Sequence, residues 1–156
     1  MNWLQDMLKT SVLAMLFLLS SVVVAVDKQD GPAPALVTGT TFIDTATAQL
    51  LQADGIPFVD VRPASMYQSG RIPGAISLPL PGGKFNQQAL ARVVSPDDPV
   101  VLHCRGINCM MSSMAAKMAV KWGYSQIYYY RVGYNGWKEA GQPVEVPTKG
   151  IKQVKN

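Results

Sequence analysis

Two cysteines bracket the run Cys104-Arg105-Gly106-Ile107-Asn108-Cys109, and this stretch holds the residue types best suited to nucleophilic chemistry. A thiol becomes a useful nucleophile at neutral pH once its surroundings favour the thiolate. Pro99-Val100-Val101-Leu102-His103 precedes the run and predicts a strand, continuously apolar and β-branched. Met110 to Trp122 follows and predicts a helix. A loop that leaves the carboxyl end of a strand and feeds a helix amino terminus aims backbone N–H groups and the positive end of the helix dipole at its contents. Arg105 adds positive charge, and Gly106 lets the backbone curl back towards the sulfur. Cys104 is therefore expected to be an activated nucleophile rather than a packed structural thiol. Cys109 has two readings: a resolving thiol that can form a disulfide with Cys104, or a side chain that fills space under the helix. His103 alternates with Cys104 along the strand, so it should point away from it and take no part in the chemistry.

The elements that must position this loop alternate between strand and helix. Helices are predicted over 45–52, capped by Asp44 or Thr45, over 63–68, 86–93 and 110–122, and over 136–140. Strands are predicted over 56–60, 75–78, 99–103 and 127–130. Strand–helix alternation argues for an α/β fold with a central, mostly parallel sheet flanked by helices. Met111, Met114, Ala115, Met118 and Trp122 fall at helical spacing and predict the buried face of the helix after Cys109. Such methionines read as core rather than as a copper site.

Composition narrows the function. Of 156 residues 48% are hydrophobic and 15% charged, enough for a packed core and too apolar for a disordered tail. A net charge of +4 is too small to argue for nucleic acid as a partner. Residues 99–156 carry eight Lys/Arg against two Glu, so an anion suits the second half better than the first. One histidine excludes a multi-histidine metal centre, and two cysteines exclude a disulfide framework.

Residues 1–25 read as a secretory signal: an uncharged run over 10–26, with Val23-Val24-Ala25 before a cut after Ala25. The alternative is an uncleaved anchor that attaches the chain to a membrane through residues 10–26. The expected location is periplasmic or secreted, or membrane-anchored and facing the periplasm. Residues 26–39 read as a linker because of Gly31-Pro32-Ala33-Pro34, residues 40–146 as the domain, and residues 147–156 as a solvated basic tail.

Several motifs together resemble the rhodanese-like domain family. They are Phe58-Val59-Asp60-Val61-Arg62, Tyr67-Gln68-Ser69-Gly70-Arg71-Ile72-Pro73-Gly74-Ala75-Ile76, the strand with its Cys104 loop, Gly133-Tyr134-Asn135-Gly136-Trp137, and Ala140-Gly141-Gln142-Pro143-Val144. The resemblance implies a sulfurtransferase or persulfide carrier. Cys104 would accept sulfane sulfur, cradled by the backbone N–H groups of Arg105, Gly106, Ile107, Asn108 and Cys109, and would pass it to a thiophilic acceptor. The donor would be a small sulfur-containing anion or a protein persulfide, and no metal or organic cofactor is called for. Asp60, Arg62 and Arg71 lie in the shared motifs, either contacting the anion or pinning the loops together. Cys109 stands where active members usually carry a basic or small polar residue. Related phosphatases and arsenate reductases need an Arg six residues after the cysteine, where this chain has Met110, so a dianion would lack its bidentate partner. A thiol–disulfide protein using Cys104 and Cys109, and a non-catalytic binding module on the same fold, remain the alternatives.

Overall fold

The four residues of the run after Pro99 are all buried, and the fold is arranged around them. The computed structural model describes residues 32–147; the expected signal, the first part of the linker and residues 148–156 of the tail lie outside them. In chain order the strands are β1 (Thr41–Phe42), β2 (Phe58–Asp60), β3 (Ile76–Ser77), β4 (Val100–His103) and β5 (Ile127–Tyr130). They form one sheet in the order β1-β5-β4-β2-β3, with every pairing parallel. The helices are α1 (Thr45–Ala53), α2 (Ala64–Ser69), α3 (Gln87–Ala91), α4 (Met111–Lys121) and α5 (Gly133–Glu139), with a short 3-10 turn at Pro81–Gly83. The expected α/β architecture is the one observed.

Alternation along β4 divides the core into two layers. Val100, Leu102 and Cys104 face one side with Val59, Tyr129 and the small residues of α4. Val101 faces the other with Phe58, Tyr130, Ala48 of α1 and Trp137 of α5. Helices on both faces account for the continuously apolar sequence of the central strands. Side-chain caps start two of the helices: Asp44 accepts from the Thr47 N–H at 2.8 Å, and Asn86 from the Ala89 N–H at 2.9 Å.

Three sequence expectations change. The buried face of α4 is Ser112, Ser113, Ala115, Ala116 and Ala119, whereas Met114 is 44% exposed. Small side chains let the helix lie close to the sheet, and Met111, Met118 and Trp122 pack at the margin of the core. The described part of the expected linker is not a free tether. Ala33 and Val37 are buried, the Ala33 N–H donates to the Ile107 carbonyl at 2.6 Å, and Arg131 Nε donates to the Ala33 carbonyl at 2.9 Å. The Tyr129 hydroxyl donates to the Pro34 carbonyl at 3.1 Å. Finally, β1 has no counterpart among the predicted strands, and α5 starts at Gly133 rather than Gly136.

Candidate active site

Cys104 follows the last residue of β4 at the carboxyl edge of the sheet, and its side chain is fully buried. Its sulfur lies 3.2 Å from the Cys109 carbonyl oxygen and 3.1 Å from Ser112 Oγ in the first turn of α4. The loop returns on itself because the Cys109 N–H donates to the Gly106 carbonyl at 2.9 Å. Both thiols are free, and Cys109 is only 7% exposed.

The start of α5 clamps the loop from behind. The Tyr134 N–H donates to the Cys104 carbonyl at 3.0 Å, and the Asn135 N–H donates to the Arg105 carbonyl at 2.8 Å. Gly133, with φ +53°, is pressed so closely against this backbone that a Cβ would overlap the Cys104 carbonyl oxygen. Gly106 adopts no left-handed conformation. A Cβ there would make only ordinary contacts, 3.4 Å from the Val132 carbonyl oxygen and 3.5 Å from Asn135.

At Cys104 the neighbouring thiol and burial oppose the loop's field. The hydrogen bond with Cys109 and then burial push the Cys104 thiol up, against a smaller opposing effect of Ser112. Cys109 is pulled down, to about 6, first by the hydrogen bond with Cys104 and then by the backbone N–H groups of Arg105 and Met111 and the charge of Arg105, against burial. The Cys109 amide is not part of the cradle, since Gly106 already accepts from it.

On the outer side of the loop lies a cleft of about 470 Å³, lined by Arg105, Gly106, Ile107, Asn108, Val132, Asn135, Gly136 and Glu139. Of the loop residues expected to meet a donor, Arg105, Gly106, Ile107 and Asn108 line this cleft, whereas Cys109, like Cys104, does not. Asp60 and Arg62 sit on β2 and just after it as a buried ion pair. Arg62 Nε donates to both Asp60 carboxylate oxygens at 2.9 Å, and its Nη2 donates to the Gly70 carbonyl at 2.8 Å. The guanidinium also lies 4.2 Å from the centre of the Tyr134 ring. So placed, Arg62 joins the turn before Arg71 to α5. Arg71 pairs with Glu145, and the two also exchange backbone hydrogen bonds at 2.9 Å.

His103 points to the opposite face from Cys104, tilted against Phe58 and Tyr130, and burial pushes its pKa down. Ser112, Gly133 and the amides of Tyr134 and Asn135 do not stand out as site residues from sequence. Ser112 carries no signal beyond its place in the first turn of a helix. Gly133 opens one of the recognised motifs.

The rhodanese-like domain family model matches residues 44–140. The chain belongs to the rhodanese-like domain family. As a rhodanese-like domain it is 34% identical over 116 residues to an HTH-type transcriptional regulator of Mycobacterium tuberculosis, covering 72% of this chain and 49% of that one. It thus spans about half the length of that relative. It is 31% identical over 107 residues to the thiosulfate sulfurtransferase GlpE of Actinobacillus succinogenes, covering 67% of this chain and 88% of that one. The crystal structure of the BH2092 protein from Bacillus halodurans superposes with a TM-score of 0.60 at 28% identity, covering 68% of this rhodanese-like domain's chain and 77% of the other.

Proposed function

We propose that this rhodanese-like domain is an exported sulfurtransferase in which Cys104 takes up sulfane sulfur as a persulfide. The observation that carries the proposal is the placement of Cys104: a thiol at the carboxyl edge of the central strand, wrapped by its own loop and held by Ser112. The likeness to a thiosulfate sulfurtransferase supports the same reaction. An anionic donor meets the cleft beside the exposed Arg105 first. Because Cys104 is fully buried, sulfur transfer requires the loop around Ile107 to swing outward, away from the Ala33 N–H that holds it. With the loop open, Cys104 gives up its proton to solvent as its Sγ bonds the outer sulfur of the donor, and the remainder of the donor leaves with the bonding pair.

Intact-protein mass spectrometry after exposure to thiosulfate or tetrasulfide tests the assignment, best in a Cys109→Ser background where only one thiol remains. A gain of one sulfur atom that disappears on adding Cys104→Ser is the expected result. An unchanged mass with both donors would defeat it.

A further inference from the structure

Resting on the sulfur-loading step above, we propose that Cys109 is the thiol that discharges Cys104, so that the sulfur leaves as hydrosulfide and the loop is left as a Cys104–Cys109 disulfide. Cys104 and Cys109 are both buried, 0% and 7% exposed, so once the loop recloses on a loaded Cys104 the thiol beside it is that of Cys109. The turn closed by the Cys109 N–H on Gly106 folds the second cysteine back over the first, its carbonyl 3.2 Å from the Cys104 sulfur. The N–H groups of Arg105 and Met111, with the charge of Arg105, favour the thiolate on Cys109. Ser112 Oγ lies 3.1 Å from the Cys104 sulfur, the atom at which the old S–S bond breaks and the new one forms.

The step balances without an added oxidant. The Cys109 thiolate attacks Cys104 Sγ, the Sγ–Sγ bond forms, and the bond from Cys104 Sγ to the outer sulfur breaks. The bonding pair leaves with that sulfur as hydrosulfide. Each cysteine sulfur is oxidised by one electron, and the sulfane sulfur is reduced by two. Resetting the loop then takes an external dithiol reductant, which exchanges with the more exposed Cys109 sulfur. The partner implied is therefore a dithiol protein rather than a simple thiophile.

Reduced wild type and Cys109→Ser are loaded briefly with tetrasulfide, desalted, and followed by hydrosulfide release and intact mass. Cys109→Ser should hold one added sulfur. Wild type should release one equivalent of hydrosulfide more than Cys109→Ser does and end two hydrogens lighter, closed to iodoacetamide until dithiothreitol is added. Wild type that holds its sulfur as Cys109→Ser does would overturn the inference while leaving the sulfurtransferase standing. Failure of both proteins to load would remove both.

The reverse direction needs no substitution. Wild type oxidised to the disulfide and given sodium sulfide should gain one sulfur, mapped to Cys104. A loop that forms no disulfide under oxidation would equally overturn it.

Discussion

Replacing Gly133 by alanine pushes a methyl group into the backbone of the cysteine loop. The position has φ +53°, and the new Cβ would overlap the Cys104 carbonyl oxygen and stand 3.0 Å from the carbon that bears it. Two costs combine. An L side chain in the left-handed region costs about 1–2 kcal/mol. Forcing packed backbone apart adds roughly 1–3 kcal/mol, as overpacking does elsewhere in protein interiors. Gly55, with φ +77° and nothing within 4 Å of where its methyl group would stand, carries the first cost alone. Gly55→Ala should therefore lose about 1–2 kcal/mol and Gly133→Ala about 2–5 kcal/mol. With urea slopes of about 1–3 kcal/mol per molar, the two midpoints should separate by roughly 1 M. Urea unfolding followed by tryptophan fluorescence measures both. The folded fraction of Gly133→Ala should also load sulfur abnormally, because the hydrogen bond from the Tyr134 N–H to the Cys104 carbonyl must lengthen. Equal losses for the two substitutions would refute the claim that the turn before α5 holds the cysteine loop.

Three further outcomes follow from the same geometry. Asp60→Ala strands the buried Arg62 guanidinium and should cost roughly 3–5 kcal/mol in urea unfolding. Burial raises the Asp60 carboxyl, but His103 and the Arg62 hydrogen bonds carry it below its ordinary 3.8. Its contribution to stability is thus complete above that value and lost as pH falls through the lower folded one, so acid titration of wild type, but not of Asp60→Ala, should show this loss. Alkylation of Cys109 should rise with a midpoint near pH 6 in wild type. In Cys104→Ala the midpoint should move up, and an unmoved midpoint would show that the first thiol does not assist the second. Export predicts a mature chain that begins at Val26 and is released by osmotic shock; full-length protein found only with membranes would favour the anchor.

The parts of the fold that are legible in the sequence are those that carry their own periodicity or chemistry. Val100-Val101-Leu102-His103 reads as a covered central strand because nothing polar interrupts it before His103, and the Cys104 loop is placed by its two neighbours. Thr41-Phe42 is illegible because a two-residue edge strand has no period to detect, and it exists through its pairing with Tyr128 and Tyr129. Methionine spacing misleads on α4, since Ser112, Ala115, Ala116 and Ala119 give an equally good helical stripe and their size suits a close approach to the sheet. Pro32 and Pro34 signal an irregular backbone, which is correct. Whether that backbone is free or docked depends on Tyr129 and Arg131, almost a hundred residues away. Which cysteine holds its proton is beyond the sequence for the same reason: the answer lies in where the amides of Arg105 and Met111 end up.

The opposite orientations of His103 and Cys104 put two kinds of charge on opposite faces of one strand. The carboxylate of Asp60 is in register with His103 across the β2–β4 pairing, and its ion pair with Arg62 ties β2 to the turn at Gly70. The thiols lie on the far side of the same strand, among Leu102, Tyr129 and the small residues of α4. The two faces meet at α5, where Arg62 stacks on the Tyr134 ring and the Tyr134 N–H donates to the Cys104 carbonyl. A change of oxidation state in the loop is therefore passed through one residue to the ion pair that anchors β2, and substitutions that retune the sulfur chemistry must leave that junction in place.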